Sequence, residues 1–210
     1  MLEKGYRQME SQIRIDDLKK IEAGINEKYA NVATSPEGQF KYPTGRKGLE
    51  ALNYDKTLTE KLPNEVASSY CGVGNPFSLG KINKGEQVLD IGCGAGVDTI
   101  LAAIIVGPKG FVSGVDIVPQ MIARAESNLQ MMALENVKFQ KVSGENLPFS
   151  DDTFDVVISN GVINLIPDKE AALSEIIRVL KPAGRLMVAD QIAAGNVQKD
   201  IKARLANWFQ

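Results

Sequence analysis

The run VLDIGCGAG, residues 88–96, constrains the fold of this chain more than any other feature. A short apolar run leads through three alternating glycines into a second apolar run, which predicts a strand, a tight turn and a helix in succession. Glycines let the backbone approach a ligand closely, and the free N–H groups at a helix N-terminus favour an anionic group there. The run therefore predicts a cradle for a small molecule.

The spacing of the glycines bears on which cofactor such a cradle holds. A dinucleotide fingerprint has the form G-x-G-x-x-G/A. Here the glycines stand at 92, 94 and 96, and Val97 occupies the place of the third small residue. The spacing therefore weakens the interpretation as a nicotinamide site.

Asp116 is a second candidate site residue, because it ends the next predicted strand, twenty residues after Gly96. A carboxylate at that place can accept hydrogen bonds from both hydroxyls of a ribose, in either class of cofactor. The alternative is a helix N-cap, since Asp116 precedes Pro119 and a helical pattern. The upstream glycine turn favours the ribose role.

Strand and helix patterns alternate from residue 86 onward, which is typical of a parallel α/β sheet. The predicted strands cover 86–91, 111–116, 137–142, 154–159 and 184–190, and the predicted helices cover 95–106, 118–132, 168–180 and 197–209. Upstream, we predict a mostly polar helix over 8–30, a long lid-like loop over 34–48, a short helix over 56–62 and a glycine-rich connector over 68–85. These elements suggest two parts, namely an N-terminal helical extension with a lid-like loop (1–67) and a cofactor-binding domain (68–210).

Composition excludes several classes of function. The net charge is -2 without any run of like charges, so the sequence predicts neither a nucleic-acid partner nor an anionic membrane partner. No apolar stretch of transmembrane length and no signal-peptide pattern occur in these 210 residues, which predicts a cytoplasmic protein.

Histidine is absent, which excludes Ser-His-Asp catalysis, Cys-His catalysis and histidine-ligated metals. The two cysteines, Cys71 and Cys93, are too few for a disulfide framework or a four-ligand zinc site. We therefore predict no metal site.

The pattern Asp90-x-Gly92-x-Gly94-x-Gly96 resembles motif I of class I methyltransferases that depend on S-adenosylmethionine (SAM). The segments that resemble motifs II to IV of small-molecule methyltransferases follow in order at 136–139, 145–149, 154–160 and 178–186. The phrase ISNGVINLIPDK at 158–169 resembles the arsenite methyltransferase family still more closely, as do residues 28–32 and 74–76. The resemblance covers roughly residues 26–190.

This resemblance implies a Rossmann-like parallel sheet with SAM as the cofactor. It implies that the glycines hold the methionyl end of SAM, that Asp116 holds the ribose and that Ile117 flanks the adenine, with 143–145 at its edge. Tyr29 and the Gly74-Asn75 turn would close over the cofactor, and Asn160 would lie beside the methyl-transfer centre. The implied cofactor-binding residues are Tyr29, Gly74, Asn75, Asp90, Gly92, Gly94, Gly96, Asp116, Ile117, Ser143, Gly144, Glu145 and Asn160.

Each of three of these residues also has a structural interpretation. Tyr29 is also consistent with a packed helix aromatic and Ile117 with a core residue, whereas Asn160 on its own is more typical of a turn residue. No residue of the sequence suggests itself as a catalytic acid or base.

The chain departs from the family pattern at two positions. Ser143 stands where methyltransferases commonly have an acidic residue, so the adenine amino group would rely on the backbone or on Glu145. Gly161 stands where the arsenite methyltransferase family has a cysteine.

Trivalent arsenic prefers several thiolate ligands, as soft ligands select soft metals. Cys93 has the character of a small buried residue, which leaves Cys71 as the one candidate thiol near the mouth of the site. A site of three thiolates cannot be assembled from two cysteines, so the resemblance supports arsenite methylation and the site residues oppose it.

We therefore predict a SAM-dependent methyltransferase that acts on a small-molecule acceptor. The alternative is a SAM-binding regulatory or assembly protein without catalysis. Twenty residues follow Asp190, too few for the strands that usually complete such a sheet, so the fifth strand would be an unprotected edge. We expect either a shortened form of a longer chain or a partner, such as a second copy, at that edge.

Overall fold

The computed structural model describes residues 15–192. The predicted helix over 197–209, and residues 8–14 of the first predicted helix, lie outside the described residues. The described helices are α1 (Ile15–Thr34), α2 (Gly45–Ala51), α3 (Lys56–Thr59), α4 (Asn64–Ser68), α5 (Val97–Val106), α6 (Pro119–Gln130) and α7 (Lys169–Val179), with short 3-10 turns at Pro76–Ser78 and Ile163–Leu165. The strands are β1 (Gln87–Ile91), β2 (Phe111–Asp116), β3 (Val137–Lys141), β4 (Phe154–Asn160) and β5 (Leu180–Ala189).

The five strands form one sheet in the order β3-β2-β1-β4-β5, and every neighbouring pair is parallel. β1 lies at the centre and is covered on both faces, and four of its five residues are buried. The strand order reverses between β1 and β4, and ligands of such sheets bind in the crevice outside the carboxyl ends of the strands at this point. The predicted α/β fold with its N-terminal helices is confirmed.

Helix α5 joins the sheet to the N-terminal helices. Ile100 and Leu101 pack against a cluster that includes Leu49 and Val66, whereas Ala103 and the residues near it pack on the sheet. The helix is therefore apolar on nearly every side, as its sequence requires. Helix α4 crosses the predicted division between residues 67 and 68, and that division stays a prediction.

Helix α1 docks on α6 through an apolar face. Ile21 and Ile25 are buried against Val118 and Met121, whereas Leu18 is 38% exposed. None of the helices within residues 15–192 has the length and hydropathy that a membrane span requires.

Besides the predicted end of the first helix at residue 30, which lies at Thr34 in the structure, three predicted boundaries are wrong. The predicted loop over 34–48 ends at Gly45, because α2 begins there and buries Leu49. The predicted helix over 56–62 ends at Thr59, since the next residues turn to bury Leu62.

The third wrong boundary is the start of β5. The strand begins at Leu180, directly after α7, and not at the predicted residue 184. The pairing of β4 with β5 shifts register in this stretch, and Ala183 has a φ of 63°. An irregular pairing of this kind tolerates Pro182, which donates no ladder hydrogen bond. Within the described residues β5 is an edge of the sheet, and the partner expected there stays a prediction.

Candidate functional site

A cleft of about 860 Å³, solvent at its mouth included, opens at the carboxyl ends of β1, β2 and β4. Nine of the thirteen predicted cofactor-binding residues line it: Tyr29, Gly92, Gly94, Asp116, Ile117, Ser143, Gly144, Glu145 and Asn160.

The other four predicted residues do not line this cleft. Asp90 lines a smaller adjoining pocket under the glycine turn. Gly74, Asn75 and Gly96 line neither space, and the side chain of Asn75 caps a 3-10 turn by accepting a hydrogen bond of 3.1 Å from the Phe77 amide. The predicted contact of these three residues with the cofactor gains no support from their positions.

The glycine turn has the backbone geometry that its sequence suggests. Gly92, Gly94 and Gly96 have φ values of 69°, 52° and 80°, where side chains other than hydrogen are strained. A Cβ at Gly92 would collide with the Val162 side chain, whereas a Cβ at Gly94 would have no atom nearer than 4.0 Å. The turn therefore leaves open space at Gly94.

Asp116 closes the turn from the neighbouring strand. Its Oδ2 accepts a hydrogen bond of 2.9 Å from the Gly94 amide, and its Oδ1 accepts one of 2.9 Å from the Val118 amide. Burial raises the pKa of this carboxyl, and these backbone hydrogen bonds oppose the rise. The N-cap of α6 is Val118, so the N-cap alternative for Asp116 is wrong. Each oxygen keeps a lone pair with which a diol can bond.

The wall beyond Asp116 is apolar, with Ile117 and Val142 in it, and ends at the segment 143–145. The Ser143 hydroxyl donates a hydrogen bond of 3.1 Å to Oε2 of Glu145, and Oε1 accepts one of 3.0 Å from the Asp168 amide. These contacts fix the Glu145 carboxylate at the edge of the cleft.

The opposite wall comes from N-terminal segments. Tyr29, Tyr42 and Cys71 line it, and the Tyr42 hydroxyl donates a hydrogen bond of 3.1 Å to the Cys71 carbonyl. Burial raises the pKa of the Cys71 thiol to about 12, so the thiol is protonated near neutral pH. Cys93 is 8% exposed, and both cysteines are free. The prediction that Cys71 is the thiol at the cleft is confirmed.

Two carboxyls are buried beneath the turn, and the sequence analysis missed one of them. Burial raises the pKa of Asp90 to about 8 and that of Asp98 to about 6. The Thr99 hydroxyl donates a hydrogen bond of 2.6 Å to Asp90. The signal for Asp98 was present in the sequence, because it is an acidic residue inside the apolar helix α5.

The comparisons with known proteins agree with this geometry. Residues 82–209 match a family described as a methyltransferase domain. An arsenite methyltransferase of Halobacterium salinarum is 36% identical over 192 residues, which are 85% of this chain and 49% of that protein. A demethylmenaquinone methyltransferase of a Geobacillus species is 37% identical over 106 residues, or 50% of this chain and 45% of that protein.

The chain also resembles solved structures. The crystal structure of CrArsM, an arsenic(III) S-adenosylmethionine methyltransferase from Chlamydomonas reinhardtii, has a TM-score of 0.54 and 35% identity. The match covers 71% of this chain and 50% of that one. The chain thus spans about half the length of the curated relatives named above.

Proposed function

This chain belongs to the methyltransferase domain family, and we propose that it uses SAM to methylate a small-molecule acceptor. The observation that carries the proposal is the charge of the site. Asp116 and Glu145 line the cleft, and no Lys or Arg lines it or the adjoining pocket within the described residues. A sulfonium cation suits such a site, whereas the pyrophosphate of a dinucleotide would meet carboxylates without a cation to pair with.

The residues of the cleft fit SAM in three respects. The open space at Gly94 gives a ligand close access to backbone. The free lone pairs of Asp116 suit the two hydroxyls of a ribose. The apolar wall with Ile117 and Val142 suits a purine ring.

When bound, SAM supplies a methyl group that its sulfonium activates toward an electron-rich acceptor atom. The protein's own contribution is alignment, which can supply effective molarities on the order of 10⁵ M without a general base. Tyr29 and Val73 form walls that keep water from the centre of the cleft, and Asp116 orients the cofactor.

The acceptor must bring a nucleophile that needs little help. Histidine is absent, and burial raises the pKa of the Tyr29 hydroxyl and of the Cys71 thiol, so neither is a base near neutral pH. A thiol or a carbon acid such as a reduced quinone ionises more readily than an alcohol. We therefore propose an acceptor of this kind and not arsenite, because Cys71 is the single thiol at the cleft among the described residues.

Calorimetric titration tests the cofactor. S-adenosylhomocysteine should bind to the protein and NAD should not, and Asp116→Asn should weaken binding about tenfold or more, as loss of a charged hydrogen-bond partner does. Asp152→Asn is the matched control, because Asp152 is an exposed turn residue outside the cleft. Binding of NAD alone would exclude the proposal.

Transfer of a labelled methyl group from SAM tests the reaction. The acceptors are 1,4-naphthohydroquinone, a free thiol, and arsenite with glutathione, and we expect product with one of the first two. Tight binding of S-adenosylhomocysteine without turnover on any acceptor would favour the alternative, a SAM-binding protein without catalysis.

A further inference from the structure

We propose that Asp98 is a positioning residue that acts through Asn160 to hold the segment Cys71–Gly74 against the glycine turn. The effect of this arrangement on methyl transfer rests on the proposed function. The arrangement itself rests on hydrogen bonds within the protein. Asp98 does not line the main cleft, so its influence there passes through the segment.

The Asn160 side chain connects the two parts. Its Nδ2 donates hydrogen bonds of 2.8 Å to Oδ2 of Asp98 and 2.9 Å to the Gly74 carbonyl. Its Oδ1 accepts hydrogen bonds of 2.9 Å from the Val73 amide and 3.0 Å from the Gly74 amide. Both amide protons and both lone pairs of the Asn160 side chain are thus used.

Two tyrosines from the N-terminal segments complete the cluster. The Tyr54 hydroxyl donates a hydrogen bond of 2.8 Å to Oδ1 of Asp98, and the Tyr70 hydroxyl donates one of 2.8 Å to the Gly74 carbonyl. Asp98 is 7% exposed, and each of its oxygens accepts a hydrogen bond. A buried cluster in which every polar group is hydrogen-bonded is rigid, whereas a single unpaired polar group in it lowers the stability of the fold.

The segment that this cluster holds is part of the cleft wall. Cys71 and Val73 line the cleft, and the glycines between and after them permit close packing. A Cβ at Gly72 would collide with the Asn160 amide, and a Cβ at Gly74 would lie 2.6 Å from the Cβ of Ala189. The position of the wall therefore depends on contacts that begin at Asp98.

Three variants separate positioning from general stability. In Asp98→Asn, the charge of the acceptor is lost, and where the new oxygen stays on the Tyr54 hydroxyl the new NH2 group faces that of Asn160, so two donors meet. In Asn160→Asp, a second carboxylate faces Asp98. The double variant D98N/N160D restores one donor and one acceptor between the two positions, and Asn at 98 still offers an oxygen to the Tyr54 hydroxyl. The carboxylate at position 160 no longer donates to the Gly74 carbonyl, which keeps the Tyr70 hydroxyl as a donor.

Asp155→Asn is the matched control. Asp155 also joins two strands, since it accepts a hydrogen bond of 2.8 Å from the Gln87 amide, but it lies at the amino end of β4, away from the cleft. Replacing Asp155 by Asn should therefore not disturb the segment Cys71–Gly74.

The first readout is the rate at which iodoacetamide alkylates Cys71, with peptide mass spectrometry to separate it from Cys93. We expect both single variants to react about tenfold faster than the unmodified chain, because a charge-assisted hydrogen bond is lost. The control should react at close to the unmodified rate, and the double variant should react more slowly than Asn160→Asp, because the hydrogen bond between positions 98 and 160 is restored. This readout needs neither a cofactor nor turnover.

The second readout is binding against turnover. We expect the affinity for S-adenosylhomocysteine to change less than about threefold in Asp98→Asn, while kcat with 1,4-naphthohydroquinone falls about tenfold or more because alignment is lost. If the unmodified chain shows no turnover, the proposed function fails, and the alkylation rates still decide the role of Asp98.

Folded single variants with unchanged Cys71 reactivity would overturn the proposal, and so would a double variant as reactive as the single ones. Should both single variants fail to fold, as circular dichroism would reveal, Tyr54→Phe provides the milder test. It removes one donor to Asp98 and keeps the ring, and we expect an intermediate alkylation rate.

Discussion

Gly161 faces Val73 so closely that a Cβ at position 161 would lie 3.1 Å from both methyl groups of Val73. Gly161 also has a φ of 76°, which strains any L side chain. The arsenite methyltransferase family has a cysteine at this point. In this chain, the backbone at position 161 favours glycine and would strain a cysteine. The rest of the wall is adapted to that absence, because Val73 fills the space.

We therefore expect Gly161→Cys to cost about 1–3 kcal/mol of stability, through the left-handed backbone and the contact with Val73. It should not confer rapid arsenite methylation, because a thiol at position 161 and Cys71 are still fewer than three. Urea unfolding and an arsenite assay measure the two effects. Gly161→Ala is the control for strain without a thiol, and rapid arsenite turnover by the cysteine variant alone would contradict our view.

Gly94→Ala tests the cradle in the glycine turn. The nearest protein atom to the added Cβ is the Met121 sulfur, 4.0 Å away, so the Cβ does not collide with the protein. We expect it to occupy space that a ligand needs. The affinity for S-adenosylhomocysteine should fall about tenfold or more, which calorimetry measures.

Gly107→Ala is the matched control for the backbone cost. Gly107 has a φ of 67°, nothing lies within 4 Å of its added Cβ, and it follows α5 away from the cleft. Gly107→Ala should bind S-adenosylhomocysteine like the unmodified chain, and equal binding by both variants would contradict the cradle.

The stability of the protein should fall as pH rises from 5 to 8. Burial, and the charge of Asp98 after it, raise the pKa of Asp90 to about 8, so the folded state holds a proton that the unfolded chain releases near its ordinary pKa. The stability that protonated Asp90 contributes is fully present below the pKa of Asp90 in the unfolded chain. It is lost as pH rises through the pKa of Asp90 in the folded state. The expected loss is about 1–4 kcal/mol over this window.

Urea unfolding at several pH values measures this slope. Asp90→Asn should flatten it, because the amide cannot ionise and still accepts from Thr99. No histidine titrates in the window, since the sequence has none. A free energy of unfolding that rises between pH 5 and 8 would contradict the assignment.

The sequence could predict those parts of the site that are local along the chain. The turn from β1 into α5 lies within a few residues, and Asp116 follows from the end of the next strand, because parallel strands end at one edge. The cluster around Asp98 could not be predicted in this way. Asn160 is 106 residues from Tyr54 and 62 from Asp98, so nothing local connects them.

Tertiary packing also determines the helix and strand boundaries that could not be predicted from the sequence. Residues 34–48 carry glycines and prolines that favour a loop, yet α2 begins at Gly45 because Leu49 is buried against Val66. The early start of β5 has the same origin, since pairing with β4 extends the strand past Pro182.

The pairing of β1 with β4 has a consequence for how the protein reaches its native state. Val88 pairs with Val156 across a crossover that contains β2, β3 and two helices, so the two strands meet only after a long loop has closed. Contacts of such high sequence separation form slowly. Because Asn160 and the residues directly after it line the cleft, we expect the cleft to be incomplete in any folding intermediate that lacks this pairing. A fluorescent cofactor analogue added during refolding should therefore report when β4 docks.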